Sequence, residues 1–210
     1  MKTVSDYRLM DFKEPVQERS KKTRKNILDA AKELFAENGF EGTTTHLVAD
    51  RIGISVGGLY AHFSNKEEIF LNVLEQRSRE VYAVTKECVI KIQTQGLSLG
   101  EGIEYYIKTI YQAHIKYGKL NFEMKKFITM NEKAATIHDY WEWEEAKEVV
   151  KLLEQGKEEL NIEDTQAAMI VMGISTHEVF HYLYTNRDKV DEEKILNNLT
   201  TMIKRFIMKL

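Results

Sequence analysis

The sequence predicts an all-α protein of about nine helices. Apolar residues recur at spacings of three and four along most of the chain, no stretch alternates with period two, and 210 residues contain one proline, Pro15. A helix buries the positions that fall every 3.6 residues on one face, whereas a half-buried strand buries every second position. Proline breaks helices by removing an N–H and crowding the preceding turn, so its scarcity favours long uninterrupted helices.

Composition narrows the class further. With 43% hydrophobic and 30% charged residues the chain can bury a core and is not a disordered polyelectrolyte. Cys88 is the single cysteine, which excludes an internal disulfide framework and fits a reducing compartment. No apolar run approaches the roughly 20 residues of a membrane span, and the polar N-terminus lacks a signal-peptide core. The expectation is a cytoplasmic protein with no membrane partner. The net charge of −3 is unevenly spread: residues 1–66 hold 11 Lys/Arg against 9 Asp/Glu, and the remainder 19 against 24. Basic residues are densest at Arg19, Lys21, Lys22, Arg24 and Lys25. A basic head on an acidic body suits contact with a polyanion at one end.

Residues 1–19 lack sustained periodicity and read as a flexible arm. Ile27, Ala31, Leu34 and Phe35 then mark one helix face, ended by Gly39 as a left-handed cap with Phe40 folding back. A short helix follows Thr43-Thr44-Thr45 and stops at Gly53. Ser55 caps another, carrying Leu59, Tyr60 and Phe63. Ser64-Asn65-Lys66-Glu67 reads as a capping box opening a long helix to about Gln95, and Ser98-Leu99-Gly100-Glu101 as a second box. Further helices are expected over about 120–131, 133–160, 163–186 and 191–209. The expected domains are 20–67 and 68–210.

Two short helices joined at Gly53 and closed by Ser55 have the dimensions of a helix-turn-helix. Gly57 and Gly58 sit within the second of them, although each disfavours a helix interior by about 1 kcal/mol relative to alanine. Such glycines make sense where backbone must approach another surface closely.

The stretch Ile27–Phe70 resembles the N-terminal domain of the TetR/AcrR family of bacterial transcriptional regulators. The resemblance rests on Ile27-Leu28-Asp29-Ala30-Ala31, Leu34 through Phe40, Thr43-Thr44, Val48-Ala49, Gly53-Ile54-Ser55, Gly57, Leu59-Tyr60, His62-Phe63 and Lys66-Glu67. It implies a helix-turn-helix head on a helical ligand-binding and dimerisation body. The implied function is repression of a palindromic operator, released by a small apolar effector. Thr44, Thr45 and His46 would meet DNA at the start of the second helix; Ser55, Val56 and Gly57 would open the recognition helix; Tyr60 and His62 would reach backbone or bases. Lys66 would pair with phosphate, while Leu47, Ala49, Leu59 and Phe63 would form the small core. Val56 departs from the polar or basic residue frequent there, so any readout at this position is apolar contact.

In the body, the resemblance implies an effector cavity, for which Tyr106, Ile110, Phe127 and Trp143 are the candidates, and a homodimer through the last two helices. Trp141 and Trp143 are roughly 200° apart around a helix, so only one can face inward. Trp143 shares the stripe Tyr140, Ala146, Val150 and Leu153 and is expected to be that one. His177-Glu178-Val179-Phe180-His181 matches the H-E-x-x-H pattern of zinc hydrolases. That alternative, a metal-dependent hydrolase, lacks a third sequence-adjacent ligand, and His114 and His138 cannot be brought to it by sequence alone. The expectation is therefore no catalytic residue, no metal and no cofactor, with double-stranded operator DNA and a small-molecule effector as partners.

Overall fold

The computed structural model describes residues 17–209, which form nine α-helices and no strand beyond one isolated bridge. In chain order these are α1 (Glu18–Gly42), α2 (Thr45–Arg51), α3 (Val56–Tyr60), α4 (Lys66–Thr94), α5 (Leu99–Tyr117), α6 (Lys119–Met130), α7 (Glu132–Gln155), α8 (Thr165–Thr185) and α9 (Glu192–Ile207). A 3-10 turn, Lys157–Glu159, precedes α8. Of the expected arm, residues 1–16 lie outside the described residues, while Glu18 and Arg19 are already helical.

The compact units do not follow a boundary at 67/68. Among the described residues, those up to Arg79 together with Tyr117–Trp141 form one unit, and Glu80–Lys116 with those from Glu142 onward form a second. The head therefore recruits part of what the sequence assigned to the body. Its core joins Ile27, Leu34 and Phe35 of α1, Val48 of α2, Leu59 of α3 and Phe70 of α4 to Leu120 and Met124 of α6 and Ile137 of α7. The reason is aromatic. Phe70 packs on Phe35, Phe40 and Phe127 with ring centres 4.7, 5.1 and 4.5 Å away, so α6 completes a cluster that α1 and α4 leave open.

Gly39 places this cluster. Its φ of +72° turns the chain at the end of the first helical run, and Phe40 donates its N–H to Glu123 Oε2 at 3.0 Å. A β-carbon at Gly39 would sit 3.0 Å from that same carboxylate oxygen. Its ψ of 175° puts Gly39 outside the left-handed helical region expected of the cap. Gly39→Ala is therefore expected to lower stability by about 1–3 kcal/mol, the strain of an alanine at positive φ with extended ψ, measured as a shift in urea midpoint at unchanged slope. Thr43, which the sequence placed in an undifferentiated threonine cluster, is fully buried; its hydroxyl lies 2.8 Å from Gly39 O and 3.0 Å from Leu34 O.

The caps follow the sequence with one shift. Ser98 and Glu101 form the expected reciprocal box. At α4 the cap is Asn65 rather than Ser64: Asn65 Oδ1 accepts from Glu68 N at 2.8 Å, and the Glu68 carboxylate reaches back to the Ser64 N–H and hydroxyl. Glu67 instead accepts from the Asn131 amide at 3.0 Å.

The second unit is built on Leu99, Ile103, Ile107 and Tyr111 of α5, Leu153 of α7, Phe180 and Leu183 of α8, and the α9 stripe Leu196, Leu199, Ile203 and Ile207. Cys88, Val89 and Ile92 of α4 pack with Leu152 of α7 beside it. Helix α8 is buried on one side only in this single chain. Ile170, Val171, Ile174 and Tyr182 are exposed, as are Met202 and Phe206 of α9. No described helix is long and apolar enough to cross a membrane.

Candidate nucleic-acid interface

Helices α2 and α3 are too short to be stable alone, so their ends and the surrounding core hold them. Thr44 caps α2, its side chain accepting from Leu47 N at 3.2 Å, and Ser55 caps α3, accepting from Gly58 N at 3.1 Å. Gly53, at φ +70°, makes the turn between them. Val48, Ala49 and Leu59 are buried beneath, and Arg51 ties α2 back to Glu33 and Glu37 of α1.

What remains outside is polar and nearly smooth. Thr44, His46, Ser55, Gly57 and Tyr60 are exposed and Thr45 is half-exposed. Tyr60 is 50% exposed, and its hydroxyl lies 3.2 Å from Thr45 Oγ1, so the two hydroxyls link the recognition helix to the start of α2. A β-carbon at Gly57 would meet nothing closer than 4.0 Å, so the protein itself does not demand the glycine. Its use is an open backbone flank, which fits close approach by an outside surface.

Three expectations for this face change. Val56 packs against the head core, because Val56 and Leu59 are three apart on α3 and share its inward face. Leu47, expected in the core, is 42% exposed beside His46. Lys66 does not point outward: its ammonium donates to Phe40 O at 2.7 Å and lies 4.2 Å from the centre of the Phe40 ring. That carbonyl also accepts a long bond from the Thr43 N–H, at 3.4 Å, and the lysine adds a second donor while covering the ring. His62 is half-buried, and its backbone carbonyl accepts from Arg24 Nη1 at 3.1 Å.

Arg24 belongs to the basic run that the sequence assigns to contact with a polyanion. It is buried, with Nη2 2.6 Å from Asn72 Oδ1 and its guanidinium 4.2 Å from the Phe63 ring centre, so it clamps the end of the recognition-helix segment to α4. The planar guanidinium hidden among apolar residues at Ile27 spacing gave no sequence signal of this role. Arg19 and Lys22 remain exposed, and Lys21 and Lys25 pair with Glu18 and Asp29.

The four candidate effector residues are not brought together. Tyr106 packs beside Cys88, Val89 and Ile92, whereas Ile110 packs against the Leu99–Ile207 cluster. Phe127 belongs to the ring cluster with Phe40 and Phe70. Trp143 is 42% exposed, and Trp141 is the inward indole because its N–H donates to Glu75 Oε2 at 2.8 Å. Burial, reinforced by Glu145, pushes the Tyr106 phenol far above its ordinary pKa, so it stays a neutral hydroxyl.

The head thus defines a helix-turn-helix protein. Residues 27–73 match the family described as bacterial regulatory proteins, tetR family. The chain is 36% identical to the transcriptional repressor AcnR of Corynebacterium diphtheriae over 64 residues, covering 30% of this chain and 34% of that one. It is 33% identical to the transcriptional regulator QacR of Staphylococcus aureus over 112 residues, covering 48% of this chain and 60% of QacR. Both matches span less than two thirds of the relative's length. A solved transcriptional regulator from Rhodococcus sp. Rha1 superposes with a TM-score of 0.74 at 15% identity, over 90% of this chain and 99% of that one, which shows a shared fold. Residues 27–73 are thus those of a tetR-family regulatory protein, and the chain as a whole shares the fold of a solved transcriptional regulator.

Proposed function

We propose that the chain is a DNA-binding transcriptional repressor that grips operator DNA with the α2–α3 face and is released by a small, largely apolar effector. The observation that carries this is the exposed row Thr44, Thr45, His46, Ser55, Gly57 and Tyr60, presented by two short capped helices inside the matched region. Hydroxyls, an imidazole and open backbone suit phosphate and base-edge contacts in a major groove. Lys66 and Arg24 act from behind this face, holding Phe40 and the His62 carbonyl in place. The relatives AcnR and QacR are named as a transcriptional repressor and a transcriptional regulator.

The exposed apolar rows of α8 and α9 support a homodimer, in which two copies cover each other's Ile170, Val171, Ile174, Met202 and Phe206. Helix α4 gives Ile69, Phe70, Val73 and Leu74 to the first core and Cys88, Val89 and Ile92 to the second. One helix that contributes residues to both cores is a means of passing effector binding to the head. Linkage then requires DNA and effector to oppose each other equally: a tenfold loss of DNA affinity, about 1.4 kcal/mol, accompanies a tenfold loss of effector affinity on DNA.

The test is affinity for duplex DNA from upstream of the chain's own gene, followed by fluorescence anisotropy from 50 to 200 mM salt. Specific binding that falls steeply and log-linearly with salt is the expected result. Tyr60→Phe, which removes one hydroxyl and leaves the helix intact, should weaken it by about 1–3 kcal/mol with an unchanged circular dichroism spectrum. Wild-type affinity no greater than for unrelated DNA sinks the repressor reading.

A further inference from the structure

The H-E-x-x-H segment has no part in the proposed DNA function, yet the fold gives its histidines a third companion. His177 and His181 lie one turn apart on α8 with ring centres 4.5 Å from each other. His114 of α5 stands 5.6 Å from His177 and 4.9 Å from His181, so three imidazoles from two helices form a closed triangle within the second unit. His114 and His181 are buried and His177 is half-buried. Phe180 closes one side, 5.6 Å from the His114 ring and 5.0 Å from the buried Tyr111 ring.

We propose that His114, His177 and His181 bind one divalent transition-metal ion of the borderline class, Zn²⁺ or its neighbours. This rests on the triangle alone and is independent of the DNA-binding reading. The dimensions fit. A Zn–N bond of about 2.0–2.1 Å puts each ring centre about 3.2 Å from the metal, and a tetrahedral angle separates two such centres by about 5.2 Å. The observed 4.5, 4.9 and 5.6 Å bracket that value. As the rings stand, edge to face at 75–89°, no three His, Cys, Asp or Glu side chains among the described residues already present a coordinating arrangement. Closing the site takes rotation about χ2. The ring centre lies on the Cβ–Cγ axis, so this rotation redirects the nitrogens and leaves the triangle almost unchanged.

Imidazole is a suitable ligand for Zn²⁺, Cu²⁺ and Ni²⁺, and three histidines leave a fourth position for water or an effector donor. Glu178, which a hydrolase would use as base, is on the exposed side of α8. The proposal is therefore binding that pins α5 to α8, not hydrolysis.

The experiment titrates the full-length, chelator-treated chain with Co²⁺ and then Zn²⁺. The expected result is one equivalent of Co²⁺ with the visible d–d absorption of a four- or five-coordinate nitrogen site, displaced stoichiometrically by Zn²⁺. His114→Ala, His177→Ala and His181→Ala should each weaken binding by more than the roughly 10–100-fold loss seen on removing a supporting contact. His138→Ala should leave it unchanged. Because the buried replacements can also disturb packing, histidine modification by diethyl pyrocarbonate is mapped on wild type with and without Zn²⁺. Protection of His114, His177 and His181 while His46 reacts as before supports the site. Absence of saturable one-to-one binding, or equal modification of the three histidines with and without metal, overturns it.

Discussion

Replacing Phe70 with alanine is expected to remove about 3–5 kcal/mol of stability, the range for truncating a buried aromatic. Phe70 is fully buried and touches three other rings, so its loss opens a cavity that α1, α4 and α6 share. Those helices cannot all close on it at once, because Gly39 and the Phe40–Glu123 hydrogen bond fix the turn. A domain of this size is stable by about 5–15 kcal/mol, so the change is a large fraction of the total. Urea unfolding measures it, with Met130→Ala as the control. Met130 is 78% exposed, and its truncation should stay within about 0.5 kcal/mol of wild type. Equal effects at the two positions would mean that the ring cluster does not hold the head together.

The second large effect concerns assembly. Ile174 is 62% exposed in the single chain, in a row with Ile170 and Val171 on α8. If a second copy covers this row, Ile174→Glu places an unpaired carboxylate in an apolar interface on both sides of the symmetry axis. The expected result is a monomer in sedimentation at micromolar concentration, with helix content preserved. Operator affinity should fall by about 10²–10⁴-fold, because the second head loses its effective concentration at the neighbouring half-site. An Ile174→Glu chain that remains dimeric would move the interface elsewhere.

Much of this fold was legible in the sequence, and the failures share a cause. Helix spacing, the Gly39 stop, the Ser55 cap and the Ser98–Glu101 box depend on neighbours within one turn, which a sequence displays directly. The roles of Arg24, Lys66 and Trp141 depend on partners far along the chain: Asn72, Phe40 and Glu75. Charge counting placed Arg24 in a run facing a polyanion and the family resemblance sent Lys66 to a phosphate, whereas the buried Asn72 amide and the Phe40 carbonyl draw them in. Stripe counting favoured Trp143 because its apolar neighbours continue to Leu153, yet one hydrogen bond to a buried carboxylate decides for Trp141. The Phe127 ring was assigned to an effector cavity for lack of any sign that Gly39 swings Phe40 onto it. His114 illustrates the limit most plainly, since nothing in its local sequence connects it to a helix more than sixty residues on.

Hydroxyl-radical footprinting on the selected operator tests the central claim most directly. The account predicts two protected half-sites related by a twofold axis, with centres about 10–10.5 base pairs apart on one face of the duplex, and their joint weakening in Tyr60→Phe. A single unsymmetrical protected stretch, or a symmetric footprint untouched by Tyr60→Phe and by His46→Ala alike, would contradict DNA recognition through the α2–α3 face.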